Sequence, residues 1–303
     1  MSCSAVLFLL LAPIPLLSAS LAQAGDSQCA QDNRTNKNAG IHITDFIITG
    51  TQAISATDLA RITADMIGSC FDENSEEIEE RVRASFQNRG YFKMELKSLR
   101  IKPRDPLGVP KPVTLEGEIS EGPQYRLADI NFTNNHAFSF EELRQQFPIK
   151  TGELFEREKI VAGLMSLRKL YATRGFVDWM ATVDTEFGSN ATTNLNLGIE
   201  EGTQYHMGKL EFVGGKEAAG RLRAEWKLSE GDIYDPTYID DFLSATRDLL
   251  PQDFGPANVQ TIQNCPAAAV EVRLILDPSE DKSAAPKNIP CEEHSKNSKR
   301  EQK

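Results

Sequence analysis

Histidine is scarce in this 303-residue chain. His42, His136, His206 and His294 are scattered, and no two stand at the helical spacing of a zinc motif. No two cysteines form C-x-x-C, so no single loop can grip a tetrahedral ion. Gly214-Gly215 lacks the Gly-Lys-Ser/Thr of a phosphate loop and reads as turn chemistry. A basic excess is also missing. The formal charge is -11, which removes the basic face that a nucleic-acid partner requires. No cofactor and no enzymatic activity are expected from a chain without such constellations.

The first 24 residues lack any charged side chain. Their apolar run from Ala5 to Leu17 is followed by Ala22-Gln23-Ala24, a small-residue cleavage pattern. Residues 1–24 are therefore expected to be a signal peptide cut before Gly25, although Met1 to Ala5 carries no Lys or Arg. A retained anchor needs about 18 to 20 uninterrupted apolar residues. Pro13 and Pro15 break this run, and Ser18 and Ser20 dilute it. Later apolar runs are all interrupted by charge or glycine, so an exported, periplasmic or secreted, water-facing protein is expected. Cys3 would leave with the signal. Cys29, Cys70, Cys265 and Cys291 remain, an even number for a disulfide-permissive compartment. Three pairings are open, and the shorter loops join Cys29 to Cys70 and Cys265 to Cys291.

What the chain does have is an internal repeat. Glu121-Gly122-Pro123-Gln124-Tyr125 and the following Ile130-Asn131-Phe132 return as Glu201-Gly202-Thr203-Gln204-Tyr205 and Leu210-Glu211-Phe212. Apolar and polar residues alternate in both strands, and Asn134-Asn135 or Gly214-Gly215 supplies the turn after each. Ser139 with Glu142 three residues on predicts a capped helix start. Ile160, Leu164, Leu167 and Tyr171 then form one apolar helix face that stops at Gly175. Val177, Trp179, Ala181 and Val183 read as a strand, and Leu195, Leu197 and Ile199 as its return. The unit is β-α-α-β-β.

Residues 41–122 repeat this order from the strand Ile43 to Thr49. Ile62 and Met66 lie on its first helix, Val82 and Phe86 on its second, and Tyr91 to Leu99 on its middle strand. The third copy ends in the alternating strand Val270, Val272, Leu274 and Leu276. Its middle strand, about Ala257 to Gln263, is the least regular. The expected organisation is 25–40 as an N-terminal segment, repeats at 41–122, 123–202 and 203–277, and a disordered tail at 278–303.

The Glu-Gly-x-x-Tyr junction, the apolar-x-Phe strand with its Gly/Asn turn, and Arg89-Gly90-Tyr91 with Arg174-Gly175-Phe176 resemble POTRA domains of outer-membrane assembly factors. The resemblance implies an α+β fold of three tandem units, each a three-stranded sheet covered by two helices. In that family the modules precede a membrane barrel. The 26 residues from Pro278 to Lys303 cannot supply one, so a soluble arm is expected here.

The implied activity is binding extended polypeptides by β-augmentation. The partners would be outer-membrane or secreted polypeptides, or a separate barrel or assembly protein. The strand after the second helix should be the open edge. That makes Tyr91, Phe92, Lys93, Met94, Val177, Asp178, Trp179 and Met180 the candidate partner-binding residues, with Trp179 as the anchor. The alternative, favoured for any single side chain, is that alternate members, Trp179 included, pack against the helices. The rival readings are a structural spacer without clients and an enzyme whose site no motif reveals.

Overall fold

A computed structural model describes residues 40–52, 54–71, 75–105, 107–108, 110–281 and 287–290. The expected signal peptide, Cys29, Cys291 and most of the expected tail lie outside the described residues. The chain divides into two compact bodies, one holding the first repeat through Gly122 and one holding the second and third. Asn88–Gly90 groups with the latter.

The first repeat runs β1 (Ile41–Thr49), α1 (Ala56–Ala64), β2 (Cys70–Phe71), α2 (Ser75–Gln87), β3 (Glu95–Pro103) and β4 (Lys111–Ser120). Helix α1 begins where the Ser55 hydroxyl accepts from Asp58 N at 3.0 Å, satisfying an amide that has no helical partner. Sheet order is β2-β1-β4-β3. β1 and β4 run parallel, while β3 returns antiparallel to β4. The two-residue β2 is a departure from the expected three strands. It pairs His42 with Cys70 and Ile41 with Phe71, covering the outer edge of β1.

The second repeat is β5 (Arg126–Thr133), α3 (Phe140–Arg144), α4 (Arg157–Ala172), β6 (Met180–Phe187) and β7 (Thr192–Glu200), in sheet order β5-β7-β6. The capping box forms as the residue types dictate, with Ser139 and Glu142 each satisfying the other's backbone amide. Asn134 takes a left-handed φ of 61° at the expected turn, a conformation that asparagine tolerates better than most residues.

The third repeat is β8 (His206–Val213), α5 (Lys216–Glu225), α6 (Pro236–Ala245), β9 (Val259–Asn264) and β10 (Ala269–Ile275), in sheet order β8-β10-β9. Asp235 caps α6 by accepting from Thr237 N, and Pro236 sits in the first turn, where its missing amide removes no bond. Residues 278–303 were expected to be disordered. Within them Pro278–Glu280 forms a 3-10 turn, and Ile289 bridges to Asn264.

Each repeat has its own core, built from the inward residues of the sheet and one stripe of each helix. In the first, Ile43, Ile62, Val82, Phe86 and Leu115 are fully buried. In the second, Ile130, Leu167, Tyr171, Leu195 and Leu197 play the same parts. In the third they are Met207, Leu222, Ile239, Val272 and Leu274. Each such aliphatic side chain stabilises the fold by roughly 1.5–3 kcal/mol relative to exposure.

Candidate functional site

The central strands β4, β7 and β10 are paired on both sides, which leaves β3, β6 and β9 on the outside of their sheets. Antiparallel pairing alternates residues whose backbone groups face the neighbour with residues whose groups face away. Gly188 N donates to Thr192 O at 2.8 Å, and the register continues as Glu186 with Asn194 and Asp184 with Asn196. The backbone groups of Ala181, Val183, Thr185 and Phe187 therefore point out of the sheet. Val183 lies opposite the buried Leu197 yet is 44% exposed, because nothing covers it on the outer side.

The three edges differ chemically. β3 carries Lys97, Arg100 and Lys102 and ends on Pro103. Arg104 N bonds Pro112 O at 2.8 Å, so Pro103 occupies an outward position and removes a donor from that edge. Basic side chains and proline are the usual protection of an edge against pairing. β6 and β9 contain no Lys, Arg or Pro.

The candidate residues fall differently from expectation. β3 begins at Glu95 and β6 at Met180. Tyr91, Phe92, Lys93 and Met94, and equally Val177, Asp178 and Trp179, thus lie in the turns that lead into the edge strands. Only Met180 is on a strand, and it is 61% exposed. Tyr91 and Met94 are buried in the first core. Trp179 is 8% exposed and stacks on Tyr171 with ring centroids 5.4 Å apart, in line with its reading as core.

Val177 packs against the core of the third repeat. Asp178 accepts from the Tyr205 hydroxyl at 2.7 Å and from Gln263 Nε2 at 3.1 Å. Tyr205 N and Gln204 Nε2 donate to the carbonyls of Gly175 and Arg174. These residues join the second repeat to the third within one compact body. The physical reason is the Gly175 turn, whose φ of 81° redirects the chain before the strand begins. Burial, and then the bond to Asp178, raise the Tyr205 hydroxyl to about 12.

The repeated glutamate at the junctions has a structural part. Glu201 Oε1 accepts from His136 N at 2.7 Å, Ala137 N at 2.8 Å and the Tyr171 hydroxyl at 3.2 Å, pinning the turn after β5. Glu121 does the same after β1 by accepting from Gln52 N at 2.7 Å. Among the described residues no group of His, Cys, Asp and Glu could hold a metal ion.

In the third repeat a groove of about 510 Å³ runs between α6 and β9, lined by Asp240, Leu243, Ser244 and Arg247 on one side and Val259 and Thr261 on the other. No motif signals this groove, because it arises from the spacing of a helix and a strand edge.

Residues 125–202 match the POTRA family model, described as a surface antigen variable number repeat. This stretch is a POTRA domain. Over 164 residues the chain is 23% identical to the outer membrane protein assembly factor BamA of Buchnera aphidicola, a region covering 53% of this chain and 26% of BamA. Over 133 residues it is 23% identical to a putative outer membrane protein assembly factor of Treponema pallidum, covering 43% of this chain and 16% of that protein. The chain thus spans about a quarter or less of these curated relatives. The solved POTRA3-5 array of Haemophilus influenzae BamA matches with a TM-score of 0.56 at 18% identity, over 79% of this chain and 96% of that one. The three repeats share the fold of tandem POTRA domains. No helix among the described residues is long and apolar enough to cross a membrane.

Proposed function

We propose that this chain is a protein-binding scaffold of outer-membrane assembly that takes extended polypeptide segments by strand addition at the edges of β6 and β9. The outward row at Ala181, Val183 and Thr185 carries this reading. It offers unpaired backbone donors and acceptors with no basic side chain or proline to deter pairing. The basic β3, with its outward Pro103, is the poorest of the three edges. The named assembly-factor relatives favour outer-membrane or secreted polypeptides, or a separate barrel protein, as partners. Export to the periplasm by the 1–24 signal fits the same setting.

The preferred cysteine pairing belongs to this reading. Cys265 N donates to Ile289 O at 3.0 Å, and Cys291 follows Ile289 by two positions in the sequence. That supports Cys265 with Cys291 and leaves Cys29 for Cys70. Non-reducing peptide mapping that returned a Cys29–Cys265 peptide would reject both links.

The scaffold reading is tested by placing a photocrosslinking residue at Val183 or Thr185 and irradiating with unfolded outer-membrane polypeptide. Capture from these edge positions and not from exposed Glu158 on α4 is expected. Equal capture from all three, or none, removes the edge-binding reading.

A further inference from the structure

Beyond Asp277, the described residues touch the third repeat at Asp281 and again at Asn288 and Ile289. Arg273, a nearly buried arginine on β10, bonds Glu211 of β8 at 2.8 Å, Gln260 of β9 at 2.7 Å and Asp281 at 3.0 Å. Asp281 is thereby tied to β10 through the guanidinium that also bonds β8 and β9. Farther on, Ile289 N donates to Gln263 O at 2.8 Å, Cys265 N donates to Ile289 O at 3.0 Å, and Gln263 N donates to Asn288 Oδ1 at 3.0 Å. The bridge between Ile289 and Asn264 is parallel. Four residues, Lys287 to Pro290, therefore behave as a short extra strand on the open side of β9.

The occupancy is partial. Ile289 uses the outward groups of Gln263 and Cys265, whereas Val259 and Thr261, farther back along the same outward row, line the groove beside α6. The added strand is also self-limiting, since Pro290, whose backbone faces away from β9, has no N–H to offer a further strand. Ile289 is 49% exposed, so burial of its side chain does little to fix it there. Backbone bonds and the Asn288 amide oxygen hold Lys287–Pro290 on the edge, and once the proposed Cys265–Cys291 link is reduced a competing strand can replace such bonds one for one.

We propose that the edge of β9 is an acceptor site for an extended Asn-aliphatic-Pro segment running parallel to β9, and that Lys287–Pro290 occupies it in cis as a displaceable placeholder. The proposal rests on the reading of this chain as a strand-binding scaffold. A partner of this type docks by displacing Ile289 from Gln263 and Cys265 and then continuing along Thr261 and Val259 into the groove. The placeholder lowers the apparent affinity of that partner in proportion to the fraction of time the edge is open.

The test uses the full chain under reducing conditions, an Ile289→Pro variant that removes the donor to Gln263, and an Asn288→Ala variant that removes only the side-chain acceptor. The probe is a fluorescein-labelled peptide with the sequence of residues 285–293 and serine at position 291. In the parent the Cys265 amide is expected to be protected from hydrogen exchange, and Ile289→Pro should expose it. The same variant should bind the probe roughly tenfold more tightly than the parent, with Asn288→Ala in between. A freely exchanging Cys265 amide in the parent overturns the proposal, as does equal probe affinity in parent and Ile289→Pro when both retain the parent circular dichroism. Crosslinking from Val183 on β6 reads the general scaffold function separately. Loss of capture there with the probe result intact rejects only that function.

Discussion

The Tyr205 hydroxyl and the Asp178 carboxylate meet at 2.7 Å, and the other oxygen of Asp178 takes the Gln263 amide at 3.1 Å. One acidic side chain thus ties the turn before β6 to the start of the third repeat and to its outer strand. Tyr205→Phe keeps the ring and deletes the bond. It should destabilise the second and third repeats together by about 1.5–3 kcal/mol, the usual range for a hydrogen bond to a charged group. Urea unfolding of the whole chain, followed at Trp179 in the second repeat and Trp226 in the third, reads this. Separate transitions in the parent would contradict the coupling.

The same tyrosine gives a pH dependence. Its hydroxyl is raised from the ordinary value of 10.0 to about 12, first by burial and then by Asp178. The neutral form is favoured in the folded state, so this contribution is complete below pH 10 and is lost as pH rises through about 12. Tyr205→Phe should therefore flatten the alkaline decline in thermal stability between those limits. An unchanged profile would mean that the Tyr205 hydroxyl does not sense the fold.

Glu201→Ala leaves two backbone amides and the Tyr171 hydroxyl without their common acceptor. A loss of about 2–3 kcal/mol is expected. Glu121→Ala removes the acceptor of Gln52 N and should cost about 1–3 kcal/mol. An unchanged denaturation midpoint in Glu201→Ala would show that the shared acceptor does not hold the turn after β5.

Trp179→Ala should lower stability by about 3–5 kcal/mol, as truncating a buried aromatic does. Trp179→Phe should cost less than about 1.5 kcal/mol, since the indole N–H finds no partner in its pocket and the stack on Tyr171 survives. Client capture from Val183 should be unchanged in the phenylalanine variant. Loss of capture there would return Trp179 to the binding surface.

Much of the fold could be read from residue patterns, because each repeat uses local chemistry that agrees with its packing. Ser139 and Glu142 marked a helix start, Asn134 a left-handed turn, and Leu195, Leu197 and Ile199 a buried central strand. The starts of the edge strands could not be read. Val177, Trp179, Ala181 and Val183 keep period-two alternation straight through a turn whose side chains are buried for a different reason, the seam with the third repeat and the Tyr171 stack. β2 escaped notice because two residues cannot show a period. The pairing of Ile289 was hidden because a lone isoleucine between Asn288 and Pro290 carries no strand pattern. Only the geometry of Gln263 and Cys265 reveals it.

Gly175 is sensitive in a way that its neighbours are not. Its φ is 81°, and an added Cβ would overlap the Tyr205 carbonyl oxygen, so Gly175→Ala combines left-handed strain with a clash against backbone. The variant should lose at least about 1–2 kcal/mol from the left-handed conformation alone. A Gly68→Ala control keeps a similar φ of 89° with open space around the added methyl. Similar melting temperatures for the two variants would rule out the contact with Tyr205 as the deciding factor.

The parallel pairing of the first and last strands in every repeat also governs the order in which a growing chain can become structured. Asn131 on β5 bonds Asn196 on β7, 65 positions later. Such closure across a whole unit favours slow folding over rapid local assembly. While a repeat is being made, its opening strand lacks its parallel partner until the closing strand has emerged. For that interval the scaffold itself is an extended apolar segment of the kind it is proposed to bind.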